Sequence, residues 1–504
     1  MILNLIPKKN RTEIALLAIF SVGVVIRIYY FPFELPLTID GLDNFTYATA
    51  INYFGHLPTE WTPPSNGWPI FLSFWFSIIN LDNTLQYMQL QRIISVILST
   101  LTIIPIYFLC KKFFDKKIAL VGTTLFIFDP RIILNSLLGI QEPLFILLQI
   151  SSLVIFLKYD RKWIILSFVV ASFATIVRAE GIFLVLTLTI LFFIRFKISK
   201  EILKTYIPCI VIFLLILFPI MTYKIEVTGN EAMFQRVAYG TNQILTNTSQ
   251  EGTNEIIEGV KLFVKYLGWI MIPIFIIFLP FGTIQFIRKR SKETNFIIVY
   301  LIIVSLPSLY GYIMQAQDTR YLYILFPIFC LISLFAVKKY IAKFPRKNII
   351  LFIMIVGILI SSIGFYEYKK IDYEKEREFN IIAKNIPVIP SGLNYHPSET
   401  KYLGVAEIPN EWPFLFNDEL RKTKVISTSN YENLEDFISN SRENLTHLIV
   451  DENSDLPEFL QNVYYNEERY EYLIKEFDSK ENGFKHHIKL FKIDFKKFDS
   501  IIQK

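Results

Sequence analysis

Two aspartates three residues apart, Asp40 and Asp43, lie in the run from Thr38 to Ala48, a short way beyond the first long apolar stretch of the chain. An Asp at a bilayer centre costs about 2.5–3.5 kcal/mol on the lenient insertion scale, so acids beside membrane spans tend to face protein or water and to have a task. A carboxylate within hydrogen-bond reach of an acceptor hydroxyl or amide serves as a general base, and two together offer hard oxygen ligands to a divalent cation. A structural reading competes with both. Asp43 precedes the helical-looking run from Tyr47 to Tyr53 and suits its N-cap.

Three further groups have the right types. Glu142 stands before Pro143, which suits the first turn of a helix, where a missing N–H is no loss; a carboxylate there favours the positive end of the dipole. Arg178 and Glu180 occupy a short hinge between two apolar runs, and an arginine there suits bidentate hydrogen bonding to a lipid phosphate. Asp318 and Arg320 open a late apolar run. Each group also has an ordinary explanation: Arg178 pairs with Glu180 or snorkels to headgroups, Asp318 caps a helix and Arg320 anchors at the interface. Gathered at one mouth, these acids and arginines would suit a phosphate leaving group and a hydroxyl or amide acceptor.

The elements that must position them are membrane helices. Of 504 residues, 53% are hydrophobic and 16% aromatic, with a mean hydropathy of +0.41, which sets soluble classes aside. Apolar stretches recur near 13–30, 86–109, 163–177, 181–194, 206–223, 266–284, 295–313, 321–337 and 348–366, with shorter ones near 118–128 and 141–157, predicting about eleven transmembrane helices. Residues 67–81 are apolar but too short to cross, and are expected to lie along the surface or re-enter. Residues 129–140, which open on Asp129, Pro130 and Arg131, form another short outer segment.

Basic clusters between alternate spans, such as Lys111 to Lys117, Arg195 to Lys204 and Lys338 to Lys347, place those loops in the cytoplasm by the positive-inside rule. The N-terminus is then cytoplasmic and begins an uncleaved first helix. The connections at 31–85, 129–140, 178–180, 224–262 and 314–320 lie outside, together with the tail. The tail 367–504 holds 19 basic and 26 acidic residues against 32 and 19 in residues 1–366. The basic excess thus belongs to membrane-surface loops, and no nucleic-acid footprint is implied.

Residues 1–366 are read as the membrane domain and 367–504 as a soluble extracytoplasmic α/β domain. In the tail, strands are expected at Lys424–Ser427, His447–Val450, Glu471–Phe477 and Lys485–Ile493, short helices at Glu432–Ile438 and Leu456–Val463, and turns at Pro387–Gly392 and Asn394–Ser398. Cys110, Cys209 and Cys330 all fall inside apolar runs, so no disulfide framework or zinc spacing is present. His486 and His487 are adjacent strand residues facing opposite sides, read as surface or packing residues. Sequons begin at Asn44, Asn247 and Asn444.

The membrane part, about residues 10–340, resembles the GT-C superfamily of membrane glycosyltransferases, which includes protein O-mannosyltransferases and lipid A aminoarabinose transferases. The family's Asp-Glu pair after the first helix is matched by Asp43 and Asn44, trailed by Tyr47 and Ala48. Ser65 to Phe71 is similar to the segment opening its surface helix, and Gln141 to Phe145 to its Glu-Pro-Leu-Phe helix start. Val177 to Gly181 is similar to its Arg-Pro-Glu-Gly hinge with Ala179 for Pro, and Arg320 to Leu322 to its late Arg-Tyr element. The resemblance implies inverting transfer of a sugar, with or without a metal, from a polyprenyl-phosphate donor to a protein, lipid or glycan acceptor on the outer face of the cell membrane. It makes Asp43 the catalytic base, with Asp40 as substitute for the missing second acid, and Arg178 and Arg320 the phosphate clamps. Glu142 becomes an acceptor-orienting or metal-binding carboxylate, beside Glu180 and Asp318 in the substrate site; any divalent cation would draw on Asp40, Asp43 and Glu142.

Oligosaccharyltransferase catalytic subunits share this architecture, but their Trp-Trp-Asp motif is absent, since Glu411, Trp412 and Pro413 do not supply it; transfer of a single sugar is preferred over a whole glycan. A transporter or flippase would place ionisable residues at mid-span, often in inverted repeats. Here charges collect at the ends of the spans. A membrane-anchored receptor whose tail binds ligand would make the cluster of acids and arginines incidental.

Overall fold

The structure is a computed structural model. It describes residues 11–229 and 250–369 apart from 38, 60, 61, 159, 197, 198 and 290, then 373, 377, 391–395, and 423–502 apart from 429, 430, 444, 453–455 and 486. Asn247, Asn444, Glu411, Trp412, Pro413 and His486 therefore lie outside the described residues, as does most of the turn-rich stretch 387–398.

The chain packs as two compact units, one comprising residues 1–31, 54–74 and 91–369 and the other residues 32–53, 75–90 and 370–504. Apolar runs with few breakers make the helices of the first half: α1 Arg11–Tyr29, α2 Ile39–Phe54, α3 Gly67–Ile78, α4 Thr84–Leu101, α5 Ile103–Phe113, α6 Lys116–Ile127, α7 Pro130–Leu137, α8 Glu142–Phe156, α9 Arg161–Val177 and α10 Gly181–Arg195. They continue with α11 Lys200–Thr228, α12 Gln250–Ile270, α13 Phe275–Arg288, α14 Lys292–Ile313, a 3-10 stretch Thr319–Leu325, α15 Phe326–Ile341 and α16 Lys347–Lys369.

Among the described residues, six helices are long and apolar enough to cross a membrane, or eight if each of two bent pairs is one span. The eleven expected spans include segments that fall short of this length. α8 and α10 have 15 residues each, about 22 Å at a rise of about 1.5 Å per residue. The run at 118–140 becomes α6 and α7, bent by 53°, because Asp129 N-caps α7 through Arg131 N and Ile132 N and Pro130 starts it. The expected single span at 266–284 is corrected: α12 and α13 are bent by 112° between Ile270 and Phe275, where Pro273 offers no N–H to carry the helix through.

Within the first unit, α9 packs against α8, α10 and α11, and α10 against α14. Two of these approaches need glycine. A Cβ on Gly67 would fall 2.6 Å from Val177 N, and one on Gly181 2.5 Å from Thr175 N. The starts of α3 and α10 are thus pressed on the last turn of α9, a separation no larger residue permits.

The second unit contains α2 up to Tyr53, with Phe45 against Phe76 at 5.7 Å between ring centroids and Phe76 against Tyr87 at 5.4 Å. Its tail portion is an α/β fold: β1 Ser391–Tyr395, β2 Thr423–Ser427, α17 Leu434–Ser441, β3 Leu445–Val450, α18 Glu458–Tyr465, β4 Leu473–Asp478, β5 Lys489–Ile493 and α19 Phe495–Ile502. The sheet order is β2-β1-β3-β5-β4, with β1 parallel to β2 and β3 and β5 antiparallel to β3 and β4. Phe437, Leu448, Val463, Phe491 and Phe498 are among its core residues. Turns expected around Gly392 and Asn394 give way to β1, because pairing on both edges outweighs the turn preference of these residues.

Candidate active site

Arg178 is the centre of the charged group in the first unit. α9 ends at Val177 and α10 begins at Gly181, so Arg178, Ala179 and Glu180 form the hinge the sequence indicates. The Arg178 backbone is extended at φ −148° and ψ 132° while its N–H still bonds Ala174 O. Nη1 donates to Glu142 Oε1 at 2.5 Å, Nη2 to Glu180 Oε1 at 2.7 Å and Nε to Glu180 Oε2 at 3.4 Å. The pair with Glu180 is side-on and bidentate, and one N–H remains on each Nη.

Burial works against the Arg178 charge, but the charges of Glu180 and then Glu142 outweigh it, and its pKa stands above the ordinary arginine value. Glu142 is nearly buried, and its second oxygen, Oε2, is enclosed with no hydrogen-bond partner among the described residues. A buried, half-satisfied carboxylate is costly and so requires an explanation. Here it sits one side chain away from unused guanidinium N–H groups, an arrangement suited to a ligand that brings both acceptors and a donor.

Glu142 is aimed by the turn before it. Gly139 O accepts from Trp68 Nε1 on α3 at 3.0 Å and from Gln91 Nε2 on α4 at 2.6 Å, and Leu137 O accepts from Arg92 Nε at 3.1 Å. Three donors from two helices therefore hold the approach to α8. The Phe145 ring lies 5.9 Å from the Arg178 guanidinium carbon, a cation–π distance.

A cavity of about 650 Å³ opens at Arg178 and Glu180, lined also by Pro64, Ser65, Gln141, Ala179 and Phe183. The rest of its lining comes from residues between Leu306 and Tyr321, among them Pro307, Tyr310 and Met314. That volume is typical of a small-molecule site, and the charge is gathered at the Arg178 hinge beside apolar and aromatic residues.

Asp318 caps the 3-10 stretch as expected, accepting Arg320 N at 2.8 Å, and its Oδ2 takes Arg320 Nε at 2.5 Å. Tyr321 is the residue of this element that lines the cavity, its carbonyl held by Ser308 Oγ at 2.5 Å. Tyr321, Tyr310, Phe145 and Gln141 add to the site what charge patterning could not single out.

Asp40 and Asp43 lie on α2, in the second unit. The expected N-cap role of Asp43 is corrected: α2 begins at Ile39, so Asp43 lies inside the helix, on the same face as Asp40 three residues earlier. Burial, then the charge of Asp40, raises the Asp43 pKa above the ordinary aspartate value. Asn44 is buried and donates Nδ2 to Asp40 O at 2.5 Å. Among the described residues no three His, Cys, Asp or Glu side chains gather as a metal shell. His487 meets Glu452 at 3.1 Å, an exposed pair in keeping with a surface role.

A family model described as dolichyl-phosphate-mannose-protein mannosyltransferase matches residues 69–223, a range that holds Glu142, Arg178 and Glu180. No curated protein sequence matches the chain significantly. Among solved structures, the apo oligosaccharyltransferase of Archaeoglobus fulgidus aligns with a TM-score of 0.57 at 11% identity, covering 88% of this chain and 70% of that one. The oligosaccharyltransferase AglB of the same organism, in complex with an inhibitory peptide and a dolichol-phosphate, aligns at 0.54 and 11% identity, covering 94% and 74%. ArnT from Cupriavidus metallidurans bound to undecaprenyl phosphate aligns at 0.54 and 8% identity, covering 94% and 97%. Residues 69–223 thus match a mannosyltransferase family model, and the chain shares the multi-pass fold of these membrane glycosyltransferases.

Proposed function

We propose that this chain transfers a sugar from a polyprenyl-phosphate carrier to a protein, lipid or glycan acceptor on the outer face of the cell membrane. The observation that carries the reading is the Arg178 hinge, where Arg178, backed by Glu142 and paired with Glu180, lines a cavity with apolar and aromatic residues. A polyprenyl phosphate has a matching polarity, with phosphate oxygens for Arg178 and an isoprenoid chain for residues such as Leu306 and Phe183. Dolichol-phosphate and undecaprenyl phosphate in the AglB and ArnT structures support this donor class, and the mannosyltransferase family model supports a single sugar.

In the reaction, the acceptor hydroxyl or amide attacks the anomeric carbon, the bond from that carbon to the phosphate oxygen breaks, and the lipid phosphate leaves. Asp43 takes the acceptor proton; its raised pKa brings it nearer the operating pH, as a general base requires. Arg178, with Arg320, stabilises the phosphate charge that develops, and Glu142 orients the acceptor. Glu180 and Asp318 pair with Arg178 and Arg320, and Asp40 stands near Asp43 as the second carboxylate.

The N-terminus is cytoplasmic and the tail outside, as the basic loops indicate. Residues 1–366 carry the transferase and residues 367–504 a soluble extracytoplasmic domain. The test is to incubate purified full-length protein with a panel of polyprenyl-phosphate sugars and lipid-diphosphate oligosaccharides. Release of lipid phosphate from the former supports the reading. Consumption of the latter alone would mean transfer of a whole glycan, and release from neither would overturn transferase activity.

A further inference from the structure

Lys224 is a buried lysine near the end of a 29-residue apolar helix, α11, with 1% of its surface exposed. Its Nζ donates to Pro64 O at 2.8 Å and Pro63 O at 3.4 Å. The preceding residue, Tyr223, donates its hydroxyl to Pro58 O. Two adjacent side chains of one helix thus hold the carbonyls of Pro58 and of the pair Pro63 and Pro64, and Pro64 and its neighbour Ser65 line the cavity beside Arg178.

The chemistry of the segment explains why it needs an outside donor. Pro58, Pro63 and Pro64 have no N–H and fixed φ angles, and the residue before each proline is pushed toward extended backbone. Such a run cannot close on itself by helix or turn bonds at those positions, yet it still presents carbonyls. An ammonium, with three donors and no acceptor, suits adjacent carbonyls on an extended chain. α11 also packs on α9, the helix that ends just before Arg178, so Lys224 joins a helix packed on α9 to the Pro63 and Pro64 carbonyls.

We propose that Lys224, assisted by Tyr223, is a positioning residue that fixes the Pro63–Ser65 edge of the donor cavity and so sets how tightly a lipid phosphate is held at Arg178. The inference rests on the transferase reading for its functional consequence, but the tie itself is testable without activity. Ser65→Cys places a thiol at the cavity lining, and the three native cysteines are buried. Full-length protein carrying Ser65→Cys is labelled with a water-soluble maleimide, with and without undecaprenyl phosphate, in the Lys224, Lys224→Met and Lys224→Arg backgrounds.

Release of the segment changes the labelling rate of the introduced thiol several-fold in Lys224→Met and weakens protection by undecaprenyl phosphate about tenfold, with Lys224→Arg restoring much of both. In the transfer assay Lys224→Met raises the donor KM about tenfold while kcat stays within about twofold. Tyr223→Phe, which keeps the ring, serves as the second variant if Lys224→Met does not fold, and moves labelling in the same direction. Unchanged labelling, protection and KM in a folded Lys224→Met protein, or in folded Tyr223→Phe where that variant stands in, overturns the proposal. A protein that transfers no sugar but whose introduced thiol still responds to Lys224→Met would retain the tie and lose the transferase reading.

Discussion

Gly67 and Val177 meet so closely that a single methyl group on the glycine would lie 2.6 Å from the Val177 nitrogen. The contact is backbone against backbone, and the next residue after Val177 is Arg178. Gly67→Ala must therefore push α3 away from the end of α9, and overpacking of this kind costs about 1–3 kcal/mol. The expected result is a folded protein with a lowered thermal midpoint and weaker binding of undecaprenyl phosphate. Wild-type values for both would mean that the α3 contact does not set the hinge.

Arg178 holds Glu180 through a planar fork, which lysine cannot reproduce. Arg178→Lys keeps the charge and loses the geometry, with Glu142 and Glu180 competing for one ammonium. Donor binding should weaken by about ten- to a hundredfold, a loss of one strong bidentate contact. Titration of the variant with undecaprenyl phosphate checks this, and an unchanged affinity would remove Arg178 from phosphate recognition.

Much of this arrangement is legible in the sequence at the level of types and helix boundaries. Glu142 beside Pro143 and Arg178 before Gly181 announce two helix ends, but 36 residues separate Glu142 from Arg178 and no local pattern reports that they touch. Asp43 is less legible: the run from Tyr47 suggests a helix start, whereas α2 begins at Ile39 and places Asp43 one turn inside. Lys224 has a visible signal, a lysine at the end of an apolar run, but it reads as the first polar residue of a loop until the Pro63 and Pro64 carbonyls are seen beside it. In the tail, hydrophobic alternation identifies β2 to β5, while β1 is hidden by Gly392 and Asn394, whose turn preference yields to pairing with two neighbours.

The pH dependence follows from Asp43. Its pKa lies above the ordinary aspartate value, through burial and then the charge of Asp40. As a base it works when ionised, so kcat/KM falls as pH drops through this raised pKa. Asp40→Asn removes a negative neighbour, makes ionisation of Asp43 easier and lowers its pKa. The acid limb of the profile should therefore move to lower pH in Asp40→Asn, measured as kcat/KM for a polyprenyl-phosphate sugar. A shift to higher pH, or none, would detach the limb from the Asp40–Asp43 pair.

Glu142→Gln separates two roles that share one site. The Arg178 group carries two carboxylates and one guanidinium, so the negative charge of Glu142 opposes a phosphate, while its Oε2 has no hydrogen-bond partner among the described residues. Glutamine has the same shape and no charge, and Arg178 keeps its bidentate pair with Glu180. Undecaprenyl phosphate should then bind as tightly as before or more tightly, because like-charge repulsion is reduced. If Glu142 orients the acceptor, kcat should fall by about 10²- to 10⁴-fold, the range for loss of a positioned acid–base partner. The two measurements move in opposite directions, which a merely destabilised site would not produce. A variant with normal kcat would confine Glu142 to supporting Arg178.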